Sequence, residues 1–132
     1  MSTNQLSPQI RKSNQQRNIF LILACLVVPG IALFSFLPSH EKGMLHTRGR
    51  FHSWGHLVVF VAISYVVART SRSLTGRILL FLCSLVLGFT IEAGERLIYK
   101  NHMEWKDVLI DAAGAIVGTL LAILTAPPEV IA

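Results

Sequence analysis

The sequence predicts an all-α, multi-pass transmembrane helical bundle of about four helices. Three observations carry that prediction. Of the 132 residues, 52% are hydrophobic and only 14% charged, a balance too apolar for an ordinary soluble domain. The apolar residues gather into runs at Ile19 to Leu37, Trp54 to Ala68, Ile78 to Ile91 and Val108 to Leu124. Basic residues flank those runs, with Arg11, Lys12 and Arg17 before the first and Arg69, Arg72 and Arg77 between the second and third. Basic flanks mark membrane borders. They account for the net charge of +5 without a nucleic acid partner, and membrane lipids are the expected surroundings.

Each element follows from local composition. Residues 1–18 are Gln/Asn/Ser-rich and basic, which predicts a disordered tail with little to bury. The first run is longer than a signal-peptide core of roughly 7–15 residues, and "SFLPSHEKG" offers no small-x-small cleavage site, so a retained helix is expected. Pro29-Gly30 is expected to bend it. "LPSHEKG" ends that helix, and a polar loop extends to Phe51. The second run is short of the roughly 20 residues that cross hydrocarbon. It must recruit the polar residues before it, so His52 and His56 open this helix. "RTSRSLTGR", Arg69 to Arg77, reads as a short basic turn. The third run is also short and is expected to continue as helix to about Tyr99. The fourth needs no extension, and Pro127-Pro128 end it before a tail over 127–132. The membrane domain is thus 19–126. Cys25 and Cys83 lie mid-run with no CxxC pattern, which predicts packing or lipid-facing roles.

Four crossings place the amino-terminal tail, the Arg69–Arg77 turn and the carboxyl tail on one side. Lys42, Arg48, Arg50, Arg96, Lys100 and Lys106 lie on the other, so the count of basic residues ties and the positive-inside rule does not decide. The short, purely basic Arg69–Arg77 turn favours a cytoplasmic amino terminus. A parity argument holds in either orientation. The start of helix two, the end of helix three and the start of helix four must share one surface. His52, His56, Glu92, Glu95, Arg96, Asp107 and Asp111 therefore form a candidate polar pocket. Helical spacing supports it: Glu92, Glu95, Arg96 and Tyr99 share a stripe, as do Asp107, Asp111, Gly114 and Gly118. Ionisable groups at bilayer depth tend to face a bundle interior and pair there. Interhelical pairing alone, with the acids held by Arg96, Lys106 or His56, explains the same residues equally well. "GAIVG", with Gly114 and Gly118, is a small-xxx-small surface suited to close helix packing.

Explicit chemistry is sparse. His52 and His56 with Glu92 and Glu95 are ligand types that zinc uses, yet HExxH is absent and the acids sit on a separate helix. Neither metal nor cofactor is expected. GxSxG is also absent.

The chain resembles the VanZ-like family of small bacterial membrane proteins. "HLVVF" supplies His56 and Phe60, "GFTIEAGE" supplies Glu92, and "DVLIDAAGAIVG" supplies Asp107, Asp111, Gly114 and Gly118. The likeness spans about His52 to Leu124. It departs at Glu95, where the family carries Gln, at Asn101, where Lys100 or Arg96 would stand in for a loop arginine, and at "FHSWG" before the histidine. The resemblance implies a multi-pass protein of the bacterial inner membrane, connected with the cell envelope or with glycopeptide antibiotics such as teicoplanin. On that basis the leading expectation is a non-enzymatic protein whose pocket meets a lipid head group, a cell-wall precursor or a glycopeptide. Two others stand beside it: an intramembrane acid/base or metal-assisted enzyme acting on a lipid or envelope precursor, and a small structural membrane subunit. Oligomeric state is not legible.

Overall fold

The computed structural model describes residues 8–35, 50–100 and 105–126. They form helices α1 (Pro8–Ser35), α2 (Arg50–Ala68), α3 (Leu74–Tyr99) and α4 (Trp105–Leu124), with no strand among the described residues. Of the loop expected to extend to Phe51, Arg50 and Phe51 instead open α2, and residues 38–49, like the ends at 1–7 and 127–132, lie outside the described residues. Three helices carry spans long and apolar enough to cross a membrane: Arg11–Leu33, Leu74–Ile98 and Trp105–Leu124. In α2 the apolar stretch, Ser53–Ala68, is shorter.

Two further boundaries differ from expectation. Residues 8–18, expected within a disordered tail, are the first turns of α1. Pro8 opens the helix, where its missing N–H costs nothing, and no glycine or further proline intervenes before Pro29. The helix continues through Pro29 to Ser35. The Arg69–Arg77 turn is also shorter than expected, because α3 starts at Leu74. Ser73 is its N-cap, its Oγ accepting from Gly76 N at 3.1 Å, which satisfies one of the first amides that lack an intrahelical partner.

Packing is layered unequally. α2 and α4 make the most extensive contact, α3 lies against both, and α1 rests mainly on α2. Paired positions give the directions: Ser53 meets Asp107, His56 meets Asp111 and Tyr65 meets Thr125, so α2 and α4 run parallel. α3 returns antiparallel and lies against both. No described residue of α1 is buried. It is pinned by Phe20, whose ring meets Tyr65 edge-on at 6.0 Å and lies 5.1 Å from the Arg69 guanidinium carbon. Arg72 Nη2 also donates to Asn14 Oδ1. At the far end of α4, Arg69 Nη1 donates to Thr125 O at 3.0 Å, placing a cation at the negative helix terminus.

The outward faces are apolar, with Leu26, Val58, Val86, Leu109 and Leu124 all exposed. The buried set is instead mixed. Phe60, Ile63, Ala68, Ile91, Ala115 and Ala122 are joined by Ser64, Ser84, Glu92, Asp107, Asp111 and Thr119. This inverts the usual soluble arrangement and suits lipid as the solvent.

Between lipid-embedded helices, attraction comes from packing rather than from the expulsion of water. Close approach is therefore decisive, and Gly114 and Gly118 supply it. A Cβ at Gly114 would stand 2.8 Å from Leu57 O, and one at Gly118 would collide with Val61 O. Both obstacles are backbone, which cannot swing aside. Gly118→Ala should accordingly cost about 1–3 kcal/mol, whereas Gly30→Ala, which meets nothing within 4 Å, should be neutral. Thermal melts in detergent check this, and equal melting temperatures for the two variants would refute the close approach.

Candidate functional site

The polar pocket is assembled from three helix ends. On α2, Ser53 and His56 stand one turn apart; on α4, Asp107 and Asp111 do the same. Parallel packing sets these pairs opposite one another. His56 Nδ1 and Asp111 Oδ1 are 2.9 Å apart, and Ser53 Oγ donates to Asp107 Oδ1 over a long 3.4 Å. A carboxylate only accepts, so Nδ1 carries the shared proton, and whenever the ring is neutral its lone pair is on Nε2. From α3, Glu92 completes the group: one ligand atom each of His56, Glu92 and Asp111 lies within 4.8 Å of the other two. Relative exposures are 6% for Glu92, 2% for Asp107 and 3% for Asp111.

Phe60 closes the pocket on its inner side. A Cβ on Gly88 would lie 3.1 Å from the Phe60 ring and 3.2 Å from Asp111 Cβ. The bare Gly88 backbone thus lets α3 approach the His56–Asp111 pair, with Glu92 one turn further along. The amino-terminal ends of α2 and α4 both point to this surface. Their partial positive charge favours carboxylates in the first turns, and Asp107 occupies such a turn. The acids gather where two helix dipoles stabilise them.

The residues expected here do not all converge. His56, Glu92 and Asp111 form one cluster, and Asp107 joins through Ser53. Glu95 is half-buried and lies outside that three-residue cluster, while Arg96 and Lys106 are exposed. Arg96 is in the last turn of α3, where a cation complements the helix terminus. His52 lies in the first turn of α2, with its side chain outside the described residues, as are His102 and Glu104. Gly114 and Gly118 pack α4 on α2, as their spacing suggested. Ser53 and Gly88 were not anticipated. Their signal was present: Ser53 is three residues before His56 and Gly88 four before Glu92, both helical-neighbour spacings.

No family model, curated protein or solved structure matches the chain.

Removing one member of a buried hydrogen-bonded pair leaves the other unsatisfied, at a cost of about 1–3 kcal/mol and more for a charged group, whereas replacing both by apolar groups often costs little. His56→Leu and Asp111→Leu should each destabilise the bundle, and the double variant should be more stable than the sum of the singles predicts. A double-mutant cycle on detergent melts checks this. Strict additivity would mean that the two side chains do not interact.

Proposed function

We propose that this chain is a multi-pass protein of the bacterial cytoplasmic membrane whose end pocket holds the polar head of a cell-envelope component. Its role is to modulate sensitivity to glycopeptides such as teicoplanin, in line with the VanZ-like resemblance. The observation that carries the reading is the buried His56–Asp111 pair with Glu92 beside it, set into an otherwise apolar bundle. Packing glue needs only mutually satisfied groups. This cluster instead concentrates three carboxylates, Glu92, Asp107 and Asp111, around the His56 ring and the Ser53 hydroxyl. A group with N–H or O–H donors, or positive charge, complements it. Lipid-linked wall precursors expose amide and hydroxyl donors of that kind.

An amino terminus on the cytoplasmic side is favoured by the end opposite the pocket. There Arg11, Lys12 and Arg17 of α1 share a surface with Arg69, Arg72 and Arg77, and the Arg72–Asn14 hydrogen bond holds the two segments together. That orientation puts the pocket at the outer surface, where wall precursors and glycopeptides meet.

A second reading, an intramembrane acid/base enzyme, draws on the same hydrogen bond. Asp111 orients the His56 ring and leaves Nε2 as the basic nitrogen, the arrangement a general base requires. It predicts turnover of a membrane lipid on overexpression, which an unchanged lipid profile would exclude.

The leading reading is tested in a susceptible bacterial host. Expression of the wild-type chain should shift teicoplanin sensitivity, and the Glu92→Gln/Asp111→Asn double variant, at equal abundance, should abolish the shift. Identical sensitivity with and without the wild-type chain would dismiss the resistance role. Loss of abundance rather than of effect in the double variant would support the structural-subunit alternative.

A further inference from the structure

We propose that His56, Glu92 and Asp111 bind a divalent transition-metal ion, with zinc the best-matched member of that class. The inference rests on the reading of the pocket as a ligand site and names its primary occupant.

Geometry is the first argument. Three ligand atoms, from one imidazole and two carboxylates, lie within 4.8 Å of one another. Tetrahedral ligands at about 2.1 Å from zinc stand roughly 3.4 Å apart. Closing the cluster onto an ion therefore moves no ligand atom by more than about 1.4 Å relative to its neighbour, within reach of side-chain rotation. The three residues come from α2, α3 and α4, so the backbone that holds them is rigid helix.

Charge is the second argument. Glu92 is 6% exposed and makes no hydrogen bond or ion pair among the described residues, while its carboxylate is directed at the His56–Asp111 pair. An uncompensated carboxylate in apolar surroundings costs several kcal/mol. Arg96 and Lys106 are exposed. A divalent ion offsets the charge of the Glu92 carboxylate. On ligation the imidazole is neutral, presenting the lone pair of one ring nitrogen to the ion and keeping its proton on the other.

Donor identity selects the ion. One nitrogen and two carboxylate oxygens suit zinc or manganese better than magnesium or calcium, which favour all-oxygen shells. Three protein ligands leave a fourth position open. That position would accept an oxygen of the bound head group, which links the ion to the proposed function.

The test uses the full chain purified in detergent through a tag free of histidine. After chelator treatment it is dialysed against Zn²⁺ and its metal content measured. Wild type and His102→Ala should take up about one equivalent per chain, while Glu92→Gln and Asp111→Asn, verified as helical and monodisperse, should bind at least tenfold more weakly. Co²⁺ added to the stripped wild-type chain should develop the intense visible bands of a four- or five-coordinate site. Absence of both uptake and bands in the wild type overturns the inference without reference to any variant. So does uptake that survives both carboxylate substitutions or disappears in His102→Ala, which would signify adventitious surface binding. A wild-type chain that binds no metal yet shifts teicoplanin sensitivity removes the ion and leaves the pocket standing. Metal uptake with no change in sensitivity does the reverse.

Discussion

The close approach of α2 and α4 governs the rest of the molecule. In a hydrocarbon solvent, helices are not driven together by the expulsion of water, so dispersion contacts and hydrogen bonds between them must suffice. Gly114 and Gly118 allow the backbone of α4 to reach Leu57 and Val61 directly. The same register carries Asp111 to His56 and Asp107 to Ser53. The apolar seam and the polar pocket are therefore one feature. Widening the seam by a methyl group would lengthen a 2.9 Å hydrogen bond as surely as it would loosen the packing.

Helix polarity explains why acids collect at this end. Two parallel helices, α2 and α4, present their amino termini at one surface, so their dipoles add where antiparallel neighbours would cancel. Asp107 in the first turn of α4 lies within that field, Asp111 is held by His56, and Glu92 arrives from α3. Arg96 at the end of α3 answers the opposite dipole and faces outward. One set of charges is thus buried and the other solvated, a division that follows from chain direction.

Much of this was legible in the sequence because it depended on run lengths and parity. The apolar runs became α1 to α4, and the shortfall in the second run pointed to polar residues at depth. Parity alone put His56, Glu92 and Asp111 at one surface. Finer choices depended on which side of each helix turns inward, and three-residue spacing leaves about 60° of drift per step. That drift separates Glu92, inside the cluster, from Glu95 outside it. Gly88 carried no distinctive chemistry, and its role emerges only once α3 lies against Phe60. The start of α1 at Pro8 is not marked by apolar composition, because polar Gln, Arg and Lys are good helix formers.

The parallel pairing of α2 with α4 also sets an order of events during synthesis. A chain emerges from its amino terminus, so His56 and Glu92 are made and must be accommodated while Asp111, some 55 residues beyond His56, does not yet exist. During that interval the two half-sites have only each other, water and whatever assists insertion. The pocket closes as the last helix slots in beside the second, and the glycines that let it slot are the final parts of the assembly to arrive.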